Sequence, residues 1–427
     1  MSITEHIVIG IRDSWGGEVP FALSPADRLH HVWIIGKSGT GKTTLLRNMF
    51  LQDVEAGRGV GLIDPHGDLA ADVLDHIPRR RAEDVAYFDP ADADHPVGIN
   101  LLGQVPPERR HVVASGIVSV FRGIWPDFWG PRLEYILYAA VAAILDCENV
   151  SLMGVSRMLS DELYRLWVVK QVKDPMVKRF WTHEFARYDK KFLMEAVAPI
   201  QNKVGQLLMA PEIRNVLGQV RSRMDTRFMM DNGRIFVANL SKGKLGADKA
   251  NLLGALWVTQ FDLAARARAD VPERERRDFT LYVDEFHSFV SDAFASILSE
   301  ARKYRLGLVL CHQYLDQLKP GILEAVMGNA GSVVAFRTGH KDAEALEAAF
   351  GKAYPASQFT SLNNGEVCAK LLSDGQDIEP FLGRTLPAWG IRHGRRSSII
   401  RRSREKYATR REIMERRVAA WLKLPAR

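Results

Sequence analysis

Cysteine is scarce in this chain. Three residues, Cys147, Cys311 and Cys368, stand far apart among 427. So small and odd a number argues against a disulfide framework and for a reducing compartment. No two of them have the spacing of a metal-ligand pair. Long apolar runs are missing as well. The most apolar helical stretch, 136–145, is half of the roughly 20 residues that a bilayer span requires. The opening MSITEHIVIG has neither the basic start nor the long apolar centre of a secretory leader. These absences lead us to expect a cytoplasmic protein, recruited to a membrane, if at all, by a partner. Internal repeats are also lacking.

What is present suits a soluble protein of two or three domains: 46% hydrophobic and 26% charged residues, enough for a sizeable core. The net charge of +7 hints at a polyanionic partner. Its location qualifies the hint. Residues 391–427 hold 13 Lys or Arg against 3 Asp or Glu, leaving 45 basic and 48 acidic groups in the first 390. The body is slightly acidic, and the tail reads as an appended arm for DNA or a partner.

Short apolar runs beside glycine or acidic residues predict strands at 7–11, 32–35, 59–63, 85–88 and 97–102, with a helix over 42–55. From 103 to 230 the pattern turns helical: 108–123, 131–146, 155–170, 175–186 and 191–208. Pro126, Pro131, Pro175, Pro199 and Pro211 punctuate it. Its aromatic residues, Trp125, Phe128, Trp129, Tyr135, Tyr138, Trp167, Phe180 and Trp181, are expected mostly in the core, with base stacking by one or two as the alternative. Alternation resumes with strands at 235–240, 279–285, 306–311 and 332–337 and helices at 246–268, 292–304 and 341–350. A linker over 386–402 and an amphipathic helix over 403–422 close the chain. The expected organisation is therefore an α/β core with a mainly parallel sheet in two parts, 1–102 and 231–385. An all-α insertion (103–230) divides it, and a basic linker and helix (386–427) end it.

The strongest motif is GKSGTGKT, Gly36 to Thr43, between a strand and a helix. Its glycines let successive backbone N–H groups of Gly36, Lys37, Ser38, Gly39, Thr40 and Gly41 curl toward phosphate oxygens. Lys42 would reach the β- and γ-phosphates of ATP, Thr43 would hold Mg²⁺, and Thr44 completes the nucleotide-binding stretch. Such a loop needs an acid on a neighbouring strand, and YVDEF supplies Asp284 for the metal and Glu285 to activate water. Gln313 ends the next strand, where an amide senses the γ-phosphate. Arg302, in the preceding helix, reads either as a finger for a neighbouring subunit or as a surface ion pair. Asp64 reads as a water or Mg²⁺ contact or as a helix cap, His66 as structural and His30-His31 as non-metal. Lys242 and Lys244 lie on a glycine-rich loop, facing a phosphate backbone or solvent.

Together, GKSGTGKTT, LIDPHGDLA, YVDEF, SEARKYRLGLVLCHQY and GNAGSVVAFRTGHKDAEAL resemble the HerA–FtsK superfamily of DNA-pumping P-loop ATPases. Within it, they resemble the soluble group similar to type IV secretion coupling proteins of conjugative elements. The likeness spans nearly the whole chain, including APIQNKVGQLLMAPEIRNVLGQ in the insertion. It implies a RecA-like core, ATP with Mg²⁺, and a hexameric ring that pulls DNA through a pore. It implies Walker A residues Lys42 and Thr43, a Walker B pair Asp284 and Glu285, and a sensor Gln313. It also implies an arginine finger at Arg302, with Arg337 as the alternative. The transmembrane helices of membrane-bound coupling proteins have no counterpart here. The partners implied are a relaxase, a secretion channel or, in repair or defence, a nuclease. A nucleotide-gated scaffold fits less well, because Glu285 is intact. A small-molecule kinase fits less well still, given the all-α insertion.

Overall fold

The computed structural model describes residues 6–291 and 294–423. The first two residues of the expected helix 292–304 and the extreme N-terminus lie outside them. Among the described residues thirteen strands follow in chain order: β1 (Ile7–Ser14), β2 (Gly17–Leu23), β3 (Val32–Ile35), β4 (Gly59–Asp64), β5 (Val85–Phe88), β6 (Ile235–Asn239), β7 (Phe279–Val283), β8 (Leu306–His312), β9 (Ser332–Ala335), β10 (Glu366–Lys370), β11 (Leu372–Ser373), β12 (Gln376–Asp377) and β13 (Phe381–Thr385). Eleven form one sheet in the order β2-β1-β13-β10-β9-β3-β8-β7-β4-β6-β5, and β11 pairs with β12 alone.

Burial separates two kinds of strand in this sheet. Strands β3, β4, β6, β7, β8 and β9 are parallel neighbours, and every residue in them is buried. Their continuous Val/Ile/Leu runs follow from cover on both faces. Strands β1, β2, β10 and β13 pair antiparallel and are only partly buried. The register brings the carboxyl ends of the parallel strands level: Ile35 stands opposite His312, Ile63 opposite Val283, and Asp64 opposite Asn239. That edge is where an open α/β sheet collects its ligand chemistry.

The chain divides into two compact units. The first comprises residues up to Tyr87, Thr226–Ser241 and Phe261–Arg402; the second comprises Phe88–Asp225, Lys242–Gln260 and the chain from Ser403 onward. The first contains the parallel strands and a core built on Ile34, Leu46, Phe50, Val60, Tyr282 and Val309. The second is helical. It takes in most of the expected 103–230 insertion, but starts earlier and adds two later segments.

Several expectations change. Residues 97–102 are not a strand. Val97 makes one isolated bridge to Ala408, and the Asn100 side chain instead donates to the carbonyls of Val150 and Val220. The helix expected over 155–170 breaks at Asp161, whose carboxylate accepts the Tyr164 N–H at 3.0 Å and caps a new helix, Glu162–Gln171. The helix expected over 175–186 is α-helical only through Arg179; a π-turn and a 3-10 turn follow, packed by Phe180, Trp181 and Phe185. Pro199 lies inside the helix Lys190–Met209, as it does in the expected 191–208. Of the eight aromatic residues named above only Phe180 and Trp181 are buried, and Phe128 and Tyr135 are exposed.

The tail departs furthest from expectation. Its linker stops at 395, because helices span Arg396–Tyr407 and Arg411–Lys423. Ser403, Tyr407, Met414 and Val418 are buried, and Met414 and Val418 pack on Met153. Arg404 pairs with Asp92 at 2.6 Å, and Arg157 donates to the Trp421 carbonyl. From Ser403 onward the tail is a structural part of the helical unit, so the free-arm reading is withdrawn.

Candidate functional site

The loop Gly36 to Gly41 connects β3 to the helix Lys42–Glu55. Two glycines show why side chains are excluded here. A Cβ at Gly36 would lie 2.6 Å from the Phe336 Cβ, and Gly41 has φ +118°. The loop is tied down from both sides, by Lys37 N–H to the Arg337 carbonyl (2.8 Å) and Gly365 N–H to the Thr40 carbonyl (2.9 Å). Thr40 is buried, and its hydroxyl donates to the Lys37 carbonyl at 2.7 Å. Lys42 is buried too, its ammonium folded back onto the same carbonyl at 2.9 Å. Lys37, Ser38, Gly39 and Thr43 are exposed, and Thr44 is half-buried.

Across the sheet edge stands an acidic group. Asp64 is buried at the end of β4 and accepts N–H groups from His66 and Ala70, both at 2.8 Å. It therefore caps the helix Asp68–His76 while also facing the next acid. Asp284 follows β7 directly. Burial first, then the Asp64 and Glu285 carboxylates, push its carboxyl up to about 6. Glu285 adopts the left-handed region, φ +45° and ψ +48°, which a non-glycine residue holds only at a cost. Its Oε1 accepts from Gln313 Nε2 at 2.7 Å. Among the described residues no Lys or Arg forms an ion pair with Asp284 or Glu285.

Against known proteins, no family model matches the chain, and no curated protein matches it in sequence. Solved structures do match. One is the bacterial conjugative coupling protein TrwBdeltaN70, unbound (16% identity, TM-score 0.61, 87% of this chain and 88% of that one). A second is the plasmid coupling protein TrwB with ADP and Mg²⁺ (16%, 0.61, 86% and 87%). A third is VirB4 of Thermoanaerobacter pseudethanolicus (14%, 0.57, 90% and 96%). The chain has the fold of TrwB and VirB4. These neighbours are P-loop ATPases of the HerA–FtsK type, and the expected α/β core is the one observed.

The remaining sequence-predicted residues fall at two places. Lys42, Thr43, Asp284, Glu285 and Gln313 gather at the carboxyl edge of the parallel strands, with Arg337 beside the loop. The Arg337 guanidinium donates to Asn364 Oδ1 at 3.0 Å. Arg302 stands elsewhere. It precedes β8 and so lies at the amino edge, about 20 Å of strand away from Gln313. It is exposed, with its guanidinium 3.2 Å from His30 Nδ1. His31 is buried and structural. Its Nε2 meets the Leu298 carbonyl, and its Nδ1 accepts the Leu308 N–H. Burial lowers its pKa to about 4, so the ring is neutral. His66 is exposed. Lys242 and Lys244 lie on a helical turn, Lys242–Leu245, rather than on an open loop; Lys244 is exposed and Lys242 half-buried.

Two side chains at the acidic edge escaped the sequence reading. The His287 ring lies 3.3 Å from Glu285 Oε2, and Gln317 Oε1 accepts the Gln313 N–H at 3.0 Å. Their only sequence signal is spacing, two residues past Glu285 and four past Gln313. No helix among the described residues is long and apolar enough to cross a membrane.

The residues present suit Mg²⁺ and a nucleoside triphosphate. An acid whose carboxyl is pushed up by burial and then by neighbouring acids, with no cation among its described partners, fits a metal ion. A Gly-rich loop that cannot take a side chain at Gly36 or Gly41 fits phosphate oxygens. Asp284 and Thr43 would hold the ion, with phosphate and water completing its shell.

Proposed function

We propose that this chain is an ATP-hydrolysing motor that works as a ring and translocates DNA, as a coupling ATPase for conjugative or type IV secretion DNA transfer. The observation that carries this reading is the convergence of Lys42, Asp284 and Glu285 at one sheet edge, on the fold of TrwB and VirB4. Mg²⁺ when bound neutralises charge between the β- and γ-phosphates. The chain's own groups do the rest. Lys42, freed from the Lys37 carbonyl, binds the terminal phosphates. Loop N–H groups orient them, and Glu285 accepts a proton from the attacking water. Burial around Asp284 keeps the edge low in dielectric and strengthens each contact.

The position of Arg302 supports a ring. At the amino edge it is too far from its own loop to touch the γ-phosphate, yet it is exposed for a neighbour's site. Arg337 sits beside its own loop and suits a role in cis. Lys244 and Lys242 would contact the DNA backbone. The helical unit would recognise a relaxase or channel partner that recruits the protein to the inner membrane. A relaxase or pilus component co-purifying with the chain supports that pathway; a nuclease would favour DNA processing or defence.

The test is ATP turnover by the full chain with and without single- and double-stranded DNA, alongside the mass of the assembly. Turnover raised several-fold by DNA in an oligomer of about six chains is expected. A monomer whose turnover ignores DNA would contradict the motor reading.

A further inference from the structure

The strand order gives the nucleotide loop two sides. On one side β8 and β7 lead into Gln313 and into Asp284 and Glu285. On the other stand β9, β10 and β13. Because β10 runs antiparallel to β9, and β13 to β10, the residues at the loop's edge there are Arg337, Gly365 and Thr385. A triphosphate places its γ end by the acids and its α- and β-phosphates over the loop. The rest of the nucleotide then leaves by the second side.

That side is tied to the loop at two points. Gly365 donates its N–H to the Thr40 carbonyl at 2.9 Å, and its Cα would stand 3.7 Å from a Cβ at Gly41. Thr385 N–H donates to the Gly365 carbonyl at 2.8 Å. The chain after Thr385 then crosses the second turn of the helix Lys42–Glu55. Asn48 Nδ2 donates to the Pro387 carbonyl at 2.8 Å and to the Leu386 carbonyl at 3.2 Å. Asn48 Oδ1 accepts the Trp389 N–H at 2.9 Å, and Arg47 donates to the Trp389 carbonyl. Gly41, Thr44 and Asn48 succeed one another on one row of the helix. Thr44, half-buried, therefore stands between the two tied points. Asn48 is 1% exposed and spends its amide on the backbone, whereas Trp389 is a large apolar side chain on a fixed backbone and 41% exposed.

We propose that Thr385–Trp389 forms the nucleoside subsite of this nucleotide site, with the Trp389 indole stacking on the base. The proposal rests on the ATP-binding reading and adds to it the group that receives the base. Thr44 and Asn48 are about 6 Å apart as neighbours on a helix row, a distance that an indole spans. Asn48 and Arg47 are positioning residues, because they fix the backbone that carries the ring. Stacking on an aromatic face adds affinity without reading the edge of the base.

The experiment is calorimetric titration of the full chain with ADP and, separately, with inorganic tripolyphosphate, both with Mg²⁺. The proteins are wild type, W389A, W389L and W389F. Tripolyphosphate offers phosphates without a base. W389A and W389L should each weaken ADP binding about tenfold or more, with tripolyphosphate affinity held within about twofold, and W389F should recover most of the loss. ADP affinity within about twofold of wild type in W389A or W389L would overturn the proposal. Equal losses for ADP and tripolyphosphate would overturn it too, since they mark Trp389 as structural. If W389A does not fold, W389L, apolar but without a ring, decides alone. A wild-type chain that binds neither ligand would instead remove the nucleotide reading, and the proposal with it.

Discussion

The two ends of the parallel strands treat buried charge in opposite ways. At the amino end Asp53 is fully buried and fully matched. Arg28 donates at 2.7 Å, Arg58 at 2.9 Å and the Tyr282 hydroxyl at 2.6 Å. The carboxylate keeps the Arg28 guanidinium charged despite complete burial. At the carboxyl end Asp284 is nearly as buried, and its neighbours Asp64 and Glu285 are acids. The contrast teaches how to separate structural from functional carboxylates in one core. Asp53 ties the loop's helix to β7 and completes its own electrostatics. Among the described residues Asp284 has no cationic partner, which suits the metal ion proposed for it.

Arg302 makes the sharpest break with this pattern, as an exposed cation at the matched end. Its loss should lower turnover by about 10³-fold or more if it serves a neighbouring subunit. Mixing K42A chains with R302A chains should then restore part of the activity, read as ATP turnover of verified mixed rings. No recovery would return Arg302 to the role of a partner for His30. Next in size, D53A should cost about 3–5 kcal/mol in urea unfolding, because it strands Arg28 without its carboxylate.

D284N should have the opposite sign. The folded pKa of Asp284 is raised, so the folded chain binds the proton more tightly than the unfolded one. Stability then falls as pH rises from about 4 to about 6, and the penalty persists above that window. Replacing the acid should therefore stabilise the nucleotide-free protein by about 1–3 kcal/mol at pH 7 to 8, with no gain below about pH 4. Thermal unfolding across that range checks it. A destabilised D284N at pH 7.5 would place Asp284 among the structural acids with Asp53.

Much of this arrangement was legible in the sequence, and the exceptions share a cause. Strands β3, β4, β5 and β7 are short apolar runs that end at a glycine or an acid, and β3, β5 and the loop helix are placed to the residue. Asp284, Glu285 and Gln313 followed from being the first residues past such runs. In the antiparallel flank β1 was expected at 7–11, whereas β2 and β13 escaped because they are half-exposed and carry Pro20, Glu18 and Arg384 among their apolar residues. The tail misled for a related reason. Its 13 basic residues hide Ile399, Met414 and Val418, which recur only once or twice per helix and so leave little apolar periodicity. His287 and Gln317 escaped because their meaning lies in contacts across about 30 residues, which no local pattern reports.

The central claim is that Glu285 activates water at an Mg²⁺-dependent ATP site. Its most direct test is the nucleotide recovered from E285Q after mixing with Mg²⁺ and ATP. The account predicts ATP retained uncleaved, with turnover lowered about 100-fold or more against wild type. ADP formed by E285Q at the wild-type rate would contradict it.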